Sequence, residues 1–243
     1  MEKSLPHIEQ YSVRKILVYH LYPGVIIVIF YILLAPYLVG MEVPSIAALL
    51  MAEIIILAPV EGGHMYVKGR KFKSSRFKKV ILFNRSISWW RLILIGLAGI
   101  FLCFILYIPL YNAGIWLRNS AFYWLPDWFF NFGIDQFDKE VLIKTFAFGI
   151  FIDGVIGAGV EEFFFRGYLL PRMQRFGYWA PLISAFLFTI YHFWQPMNYF
   201  AILWVGLVIS YTTWWTKSVW VAIFIHCGLN ILGNSFTLMS ILD

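Results

Sequence analysis

Seven long apolar runs separated by short polar stretches organise this chain of 243 residues. They cover residues 16–40, 43–60, 92–111, 141–165, 178–195, 199–215 and 218–238. A helix needs about 20 residues to cross the hydrocarbon core of a bilayer, and only the sixth run is clearly short of that. The pattern predicts an all-α fold, a polytopic bundle of seven transmembrane helices, or eight if residues 113–132 dip into the bilayer. With Pro126 and its many aromatic side chains, that stretch reads better as an interfacial segment. No internal repeat or low-complexity stretch divides the chain, so one membrane domain over 1–243 is expected.

Composition agrees with the pattern. The chain is 61% hydrophobic and only 13% charged, where a soluble domain carries roughly a quarter charged residues. Many of its 11 tryptophans fall at the ends of apolar runs, where interfacial belts sit. Both cysteines, Cys103 and Cys227, lie inside apolar runs, which leaves no disulfide framework and no cysteine-rich metal site. Residues 1–15 are polar and no small-residue cleavage site follows the first run, so that run reads as a retained span and not as a cleaved signal peptide.

Charge sets the expected orientation. The net charge of +6 is concentrated in the loops between runs, which argues against a nucleic-acid partner. Between Lys68 and Arg91 lie nine basic residues and no acid. By the positive-inside rule this loop, 66–91, is cytoplasmic, and it is suited to anionic lipid headgroups. Seven spans then put the N-terminus inside as well, with 16 basic residues on the cytoplasmic side and three, Arg118, Lys139 and Lys144, outside. The expected location is the cell membrane.

The candidate chemistry lies in residues 141–239, the expected core, with 1–140 supplying N-terminal spans. Residues 161–166 read Glu-Glu-Phe-Phe-Phe-Arg at the end of the fourth apolar run. Each such charge costs about 2.5–3.5 kcal/mol on insertion scales, so it persists where it is paired, hydrated or functional. The run continues as helix to a turn near Phe176-Gly177. From that turn Glu161 and Glu162 lie 15 to 16 residues back and His192 lies 15 residues forward, each about 22 Å away along a helix. In an antiparallel hairpin they are level. In the last run His226 and Asn230 share one helix face and reach a similar depth, with Asn234 extending the stripe.

Arg166 stands four residues after Glu162, the favoured spacing for an ion pair. Glu162 is therefore expected to pair with Arg166 while Glu161 faces a cavity, with Asp153 on a similar face behind it. A desolvated glutamate suits a general base. His192 is placed to share the water or protonate a leaving amine, and His226 and Asn230 to donate hydrogen bonds to an oxyanion. That set describes peptide-bond hydrolysis without a covalent intermediate. The same atoms of Glu161, His192 and His226 offer an alternative, a divalent metal such as Zn²⁺ that activates the water.

At these residues the chain resembles the CPBP family of intramembrane proteases, which includes the CAAX prenyl-protein endopeptidases and the bacterial Abi proteins. The first motif is matched by Glu161, Glu162 and Arg166, the second by Phe188 and His192, the third by His226 and Asn230. The resemblance implies an all-helical membrane fold with a site open toward the cytoplasm. It implies endoproteolysis of a membrane protein or peptide, lipidated in part of the family, with the first glutamate and first histidine activating water and the third motif holding the oxyanion. It leaves metal dependence and oligomeric state open.

Two other classes fit the same residues: a transporter or proton relay, and a catalytically inactive protein that binds a partner helix. Transporters tend to show repeated halves with broken helices, which are not apparent here. Glu53 is a further intramembrane acid without an assigned partner. Cys227 diverges from its helical neighbour His226, which argues against a Cys-His pair. His20 and His64 are expected at the interface.

Overall fold

The computed structural model describes residues 9–70, 79–130 and 136–243. All seven apolar runs form helix. The helices are α1 (Val13–Gly40), α2 (Ile46–Gly69), α3 (Trp89–Ile105), α4 (Tyr107–Ala121), α5 (Lys139–Phe176), α6 (Trp179–Tyr191), α7 (Tyr199–Thr216) and α8 (Val219–Leu242). Among the described residues there is no strand, only an isolated bridge between Asn84 and Ser218.

Four helices, α1, α2, α5 and α8, are each long and apolar enough to cross a membrane. The consecutive pair α3 and α4, bent by 49°, makes a fifth candidate. The chain is a multi-pass helical membrane protein, and by length and composition four or five spans are accounted for where seven or eight were expected. The difference lies at α6 and α7, neither of which is among these candidates: α7 has 18 residues, and α6 has 13 and rises about 20 Å, too little to cross the hydrocarbon core.

The fifth apolar run was expected to continue to Gln195, but α6 stops at Tyr191. His192 takes ψ 51° as its cap, and Pro196, with no N–H to donate, opens a short 3₁₀ turn before α7. Non-helical backbone at this depth survives only where it is buried in protein or lines a cavity. Here the segment packs against α4, so closely that the Met197 carbonyl leaves no room for a Cβ on Gly114.

Helix α2 departs from expectation in the other direction. The apolar run ends at Val60, yet the helix continues to Gly69. It does so through widened π turns over Glu53–Gly62, which contain Pro59. A proline inside a helix removes one donor and crowds the carbonyl four residues back, and the wider turn accommodates both. Glu61 is thereby carried inside the helix.

Helix α5 starts at Asp138, whose carboxylate accepts from the amides of Glu140 and Val141 at 2.8 and 3.4 Å. It alternates α with π stretches at Ile152–Gly157 and Phe163–Leu169 and ends as 3₁₀ helix at Phe176. Gly177 closes it at φ 55°, a conformation that glycine adopts without penalty. The turn is where the sequence placed it. Helix α8 packs on α5 through small residues: a Cβ on Gly149 would strike Asn234, and one on Gly154 would strike Ile231.

Main-chain hydrogen bonds gather one end of the bundle. The amide of Tyr11 meets Arg172 O at 2.9 Å, Leu82 meets Gly167 O at 2.9 Å, and Arg85 meets Lys217 O at 2.9 Å. The N-terminal segment, the 79–88 segment and the α5–α6 and α7–α8 turns therefore lie together, with Lys15, Arg85, Arg175 and Lys217 among them. Lys71, Lys73, Arg76 and Lys78 of the basic loop, and Asp135, lie outside the described residues. At the other end Arg118 pairs with Asp127, and Lys139 Nζ reaches Leu242 O at 3.0 Å.

Neither expected interfacial histidine is simply interfacial. His20 is fully buried, its Nδ1 donating to Ile16 O at 2.8 Å. His64 joins the hydroxyls of Tyr22 and Tyr168 at 3.0 and 3.2 Å.

Candidate active site

A cavity of about 760 Å³ opens between α2, α3, α5, α8 and the α6–α7 connection. Most of its wall is apolar, including Leu49, Leu57, Phe104 and Phe236. Glu161, His192 and His226 form one polar patch on that wall, and Glu53, Asp153 and Asn230 form another. Glu162 and Arg166 are fully buried behind it.

Glu161 brings the histidines together. Its Oε1 lies 3.9 Å from His192 Nε2 and its Oε2 lies 4.0 Å from His226 Nδ1. The three residues come from α5, from the cap of α6 and from α8. The level of Glu161 with His192 follows from equal distances to the Gly177 turn. His192 Nδ1 lies 2.8 Å from Phe188 O. A carbonyl only accepts, so Nδ1 carries the proton and Nε2 presents a lone pair toward Glu161. The early end of α6 thus supplies the ring with a fixed orientation.

Glu162 has a different set of neighbours. Arg166 lies 3.2 Å from its Oε1, one helical turn on. His226 Nδ1 lies 2.8 Å from the same oxygen. The Arg166 guanidinium stacks over Phe188 at 3.9 Å from the ring centre, and the His192 ring meets the other side of the patch edge-on to Phe188 at 4.6 Å. Phe188 is therefore the spacer between the buried cation and the histidine. Phe164 and Phe165 are fully buried, whereas Phe163 is partly exposed.

The third cluster lies along α8. Asp153 accepts from Nδ2 of Asn230 at 2.9 Å and from Nδ2 of Asn234 at 2.6 Å. Glu53 meets the Asp153 carboxyl from α2. Asn230, expected to face a substrate, thus has part of its amide donor capacity taken by Asp153. Glu53, for which the sequence offered no partner, lines the cavity beside Asp153, and its Oε2 has no hydrogen-bond partner among the described residues.

Residues 143–232 match the family described as type II CAAX prenyl endopeptidase Rce1-like. This stretch is a CAAX-protease family domain. It holds Asp153, Glu161, Glu162, Arg166, Phe188, His192, His226 and Asn230. At family level it is the domain of a CAAX-type intramembrane endopeptidase, hence a protease and a hydrolase. A CAAX-type protease embedded in a membrane acts on membrane-associated substrates. No curated protein and no solved structure matches the chain.

Two residues that sequence reasoning passed over stand beside the CAAX-protease motif residues. Tyr191 is fully buried and its hydroxyl donates to Glu61 Oε1 at 3.1 Å. Glu161 lies near enough to the same hydroxyl for the two groups to interact electrostatically. Glu61 lies outside the matched stretch, on α2. Its signal in the sequence is a second acid eight residues after Glu53, just past the last residue of the apolar run.

As arranged, Glu161, His192 and His226 do not fit a Zn²⁺ ion, which takes nitrogen and oxygen ligands at about 2.0–2.2 Å. His226 Nδ1 lies 2.8 Å from Glu162 Oε1, closer than its 4.0 Å to Glu161 Oε2. Among the described residues no group of three or more His, Cys, Asp or Glu side chains is placed to hold a metal.

Proposed function

We propose that this chain is an intramembrane endopeptidase that hydrolyses a peptide bond in a membrane-associated protein or peptide, with Glu161 as the general base. The observation that carries the reading is the 3.9 Å gap between Glu161 Oε1 and His192 Nε2 on the cavity wall. Both atoms are acceptors, so one water seated between them donates a proton to each and turns its oxygen lone pairs into the cavity.

In the reaction Glu161 removes a proton from that water while the oxygen attacks the scissile carbonyl carbon. The carbonyl electrons move onto its oxygen. His226, whose Nδ1 is occupied by Glu162, offers its other nitrogen as an imidazolium donor to that oxyanion, and the remaining amide proton of Asn230 offers a second. On collapse the C–N bond breaks and the leaving amine takes the proton held by Glu161. Base and acid steps by one carboxylate, together worth about 10²–10⁴-fold, need no covalent intermediate. Glu162, Arg166, Phe188 and Asp153 hold the reacting groups in place. The apolar wall suits the side chains of a membrane segment or a lipid attached to the substrate.

The orientation proposed is N-terminus inside and site open toward the cytoplasm, in the cell membrane. It is supported by the basic residues gathered at the end that holds the α5–α6 turn. The test is to compare peptides lost or gained between wild-type cells and a Glu161→Ala strain by mass spectrometry, then to reproduce the cleavage in proteoliposomes. Identical peptide profiles would overturn the reading.

A further inference from the structure

We infer that Gln195 and Asn198 hold the main chain of the substrate in extended form beside the scissile bond. The inference rests on the reading of Glu161 as the base, and it names two positioning residues outside the three sequence motifs.

A helical substrate satisfies its own main chain, whereas an extended stretch exposes N–H and C=O groups. In an apolar cavity each such group without a partner is costly. The wall of this cavity is mostly apolar, and three of its polar side chains, Asp153, Asn230 and Asn234, are engaged with one another. Gln195 and Asn198 line the same cavity from the connection between α6 and α7.

The two side-chain amides are joined by one hydrogen bond, donated by Asn198 Nδ2 to Gln195 Oε1 at 3.2 Å. That bond uses one N–H and one carbonyl. The Nε2 protons of Gln195 and the Oδ1 atom of Asn198 are left over, without a partner among the described residues. Turning both amides over exchanges the two roles but still leaves one carbonyl and spare N–H protons. A donor beside an acceptor is what one residue of an edge strand presents. An antiparallel partner residue fills it by exchanging both bonds. The pair therefore recognises backbone, whatever side chains the segment carries.

Its position is fixed relative to His192. The main-chain amide of Gln195 donates to His192 O at 2.9 Å, and that of Asn198 donates to Gln195 O at 2.9 Å. The first of these turns keeps the Cα atoms of His192 and Gln195 within about 7 Å, the length of about two residues of extended chain. Trp194 in the first turn is buried, with its ring 5.0 Å from the His192 ring. Pro196 and Met197 in the second are buried as well. A connection tied down in this way loses little freedom when a strand lies along it. It grips that strand about two residues from the carbonyl attacked beside His192.

The test uses purified full-length protein in proteoliposomes with a membrane peptide that wild type cleaves. A series of the same peptide carries a single ester in place of one amide near the scissile bond, the scissile amide itself excepted. An ester has no N–H to donate. In wild type one ester position lowers kcat/KM about tenfold, the cost of one unpaired group. Asn198→Ala lowers kcat/KM on the all-amide peptide by a similar factor and is indifferent to that ester. Asn198→Asp, which keeps an acceptor oxygen, still tells amide from ester. Both side chains are part-exposed, so Asn198→Ala and Gln195→Ala melt within about 2 °C of wild type. Asn198→Leu, close in size, repeats the comparison if alanine does not fold. Tolerance of every ester by wild type to within about twofold, or the same ester loss in wild type and Asn198→Ala, would overturn the inference. If instead Glu161→Gln cleaves the all-amide peptide like wild type, the base assignment falls, and the ester series on wild type and Asn198→Ala still decides the role of the pair.

Discussion

The Nδ1 nitrogen of His226 stands 2.8 Å from Oε1 of Glu162. Glu161, the residue before it, is farther at 4.0 Å. Two adjacent glutamates on one helix thus divide their work. Glu162 holds Arg166 and His226, and Glu161 faces the cavity with His192. The division predicts a split between stability and activity. Glu161→Gln should lower kcat by about 10²–10⁴-fold, the scale of a general base, while the thermal midpoint in detergent shifts by no more than about 2 °C. Glu162→Gln leaves Arg166 buried without a counter-charge, a loss of about 3–5 kcal/mol for a broken buried pair, and should lower that midpoint several-fold more. Parallel melting curves and initial rates for the two variants decide it.

Removing both charges should separate the roles further. A buried ion pair replaced by apolar groups of similar volume is often neutral or stabilising. The double variant Glu162→Leu with Arg166→Met is therefore expected to melt well above Glu162→Gln alone. It should stay inactive, because His226 has lost the acceptor that orients its ring. Recovery of activity along with stability would mean that Glu162 acts only as a counter-ion.

Asp153 and Asn230 are expected to behave as one unit. The Asp153 carboxylate takes an Asn230 Nδ2 proton at 2.9 Å and an Asn234 Nδ2 proton at 2.6 Å. Asp153→Ala should cost about as much in kcat/KM as Asn230→Ala, and the double variant little more than either. In a double-mutant cycle the coupling is expected to lie at about 0.5–3 kcal/mol, the range for side chains in one hydrogen-bond network. Additive losses would separate Asp153 from the site.

How far this arrangement was legible in the chain depends on the kind of information involved. Helix existence was legible because lipid demands long apolar runs. The level of Glu161 with His192 was legible because both distances are counted from one turn, closed at Gly177 as expected. The end of α6 at Tyr191 was not, since Phe193 and Trp194 continue the apolar pattern and only backbone geometry breaks it. Glu61 escaped because the apolar run stops at Val60, whereas π turns carry α2 past it. The choice of His226 between two neighbouring carboxylates was likewise beyond reach, since spacing alone does not reveal the π stretches that flank Glu161 on α5.

Chelation is expected to leave the activity standing. His226 Nδ1 is engaged by Glu162 and its other nitrogen carries the proton proposed for the oxyanion, so the remaining donors, Glu161 and His192, make an incomplete set for a Zn²⁺ site, which takes three or four protein ligands. Incubation with 1,10-phenanthroline or EDTA, followed by dialysis, should change the rate of the proteoliposome reaction by less than about twofold, against a metal-site loss of about 10–100-fold or more. A rate that collapses and returns on adding Zn²⁺ would show that His226 exchanges Glu162 for a metal.

Close packing around the α6 cap gives a last expectation, at two glycines. Gly24 of α1 lies against the Tyr191 carbonyl, and a Cβ there would overlap it. Gly24→Ala should therefore push α1 off α6, at about 1–3 kcal/mol for overpacking, and should also slow cleavage, because Tyr191 and His192 sit at the displaced point. A Cβ added to Gly159 of α5 would have nothing within 4 Å. There alanine meets open space and gains helix propensity of about 0.8–1.0 kcal/mol, so Gly159→Ala should melt at or above wild type. Thermal unfolding of the two variants reads both signs at once, and a Gly24→Ala protein as stable and active as wild type would show that the α1–α6 contact is looser than its geometry requires.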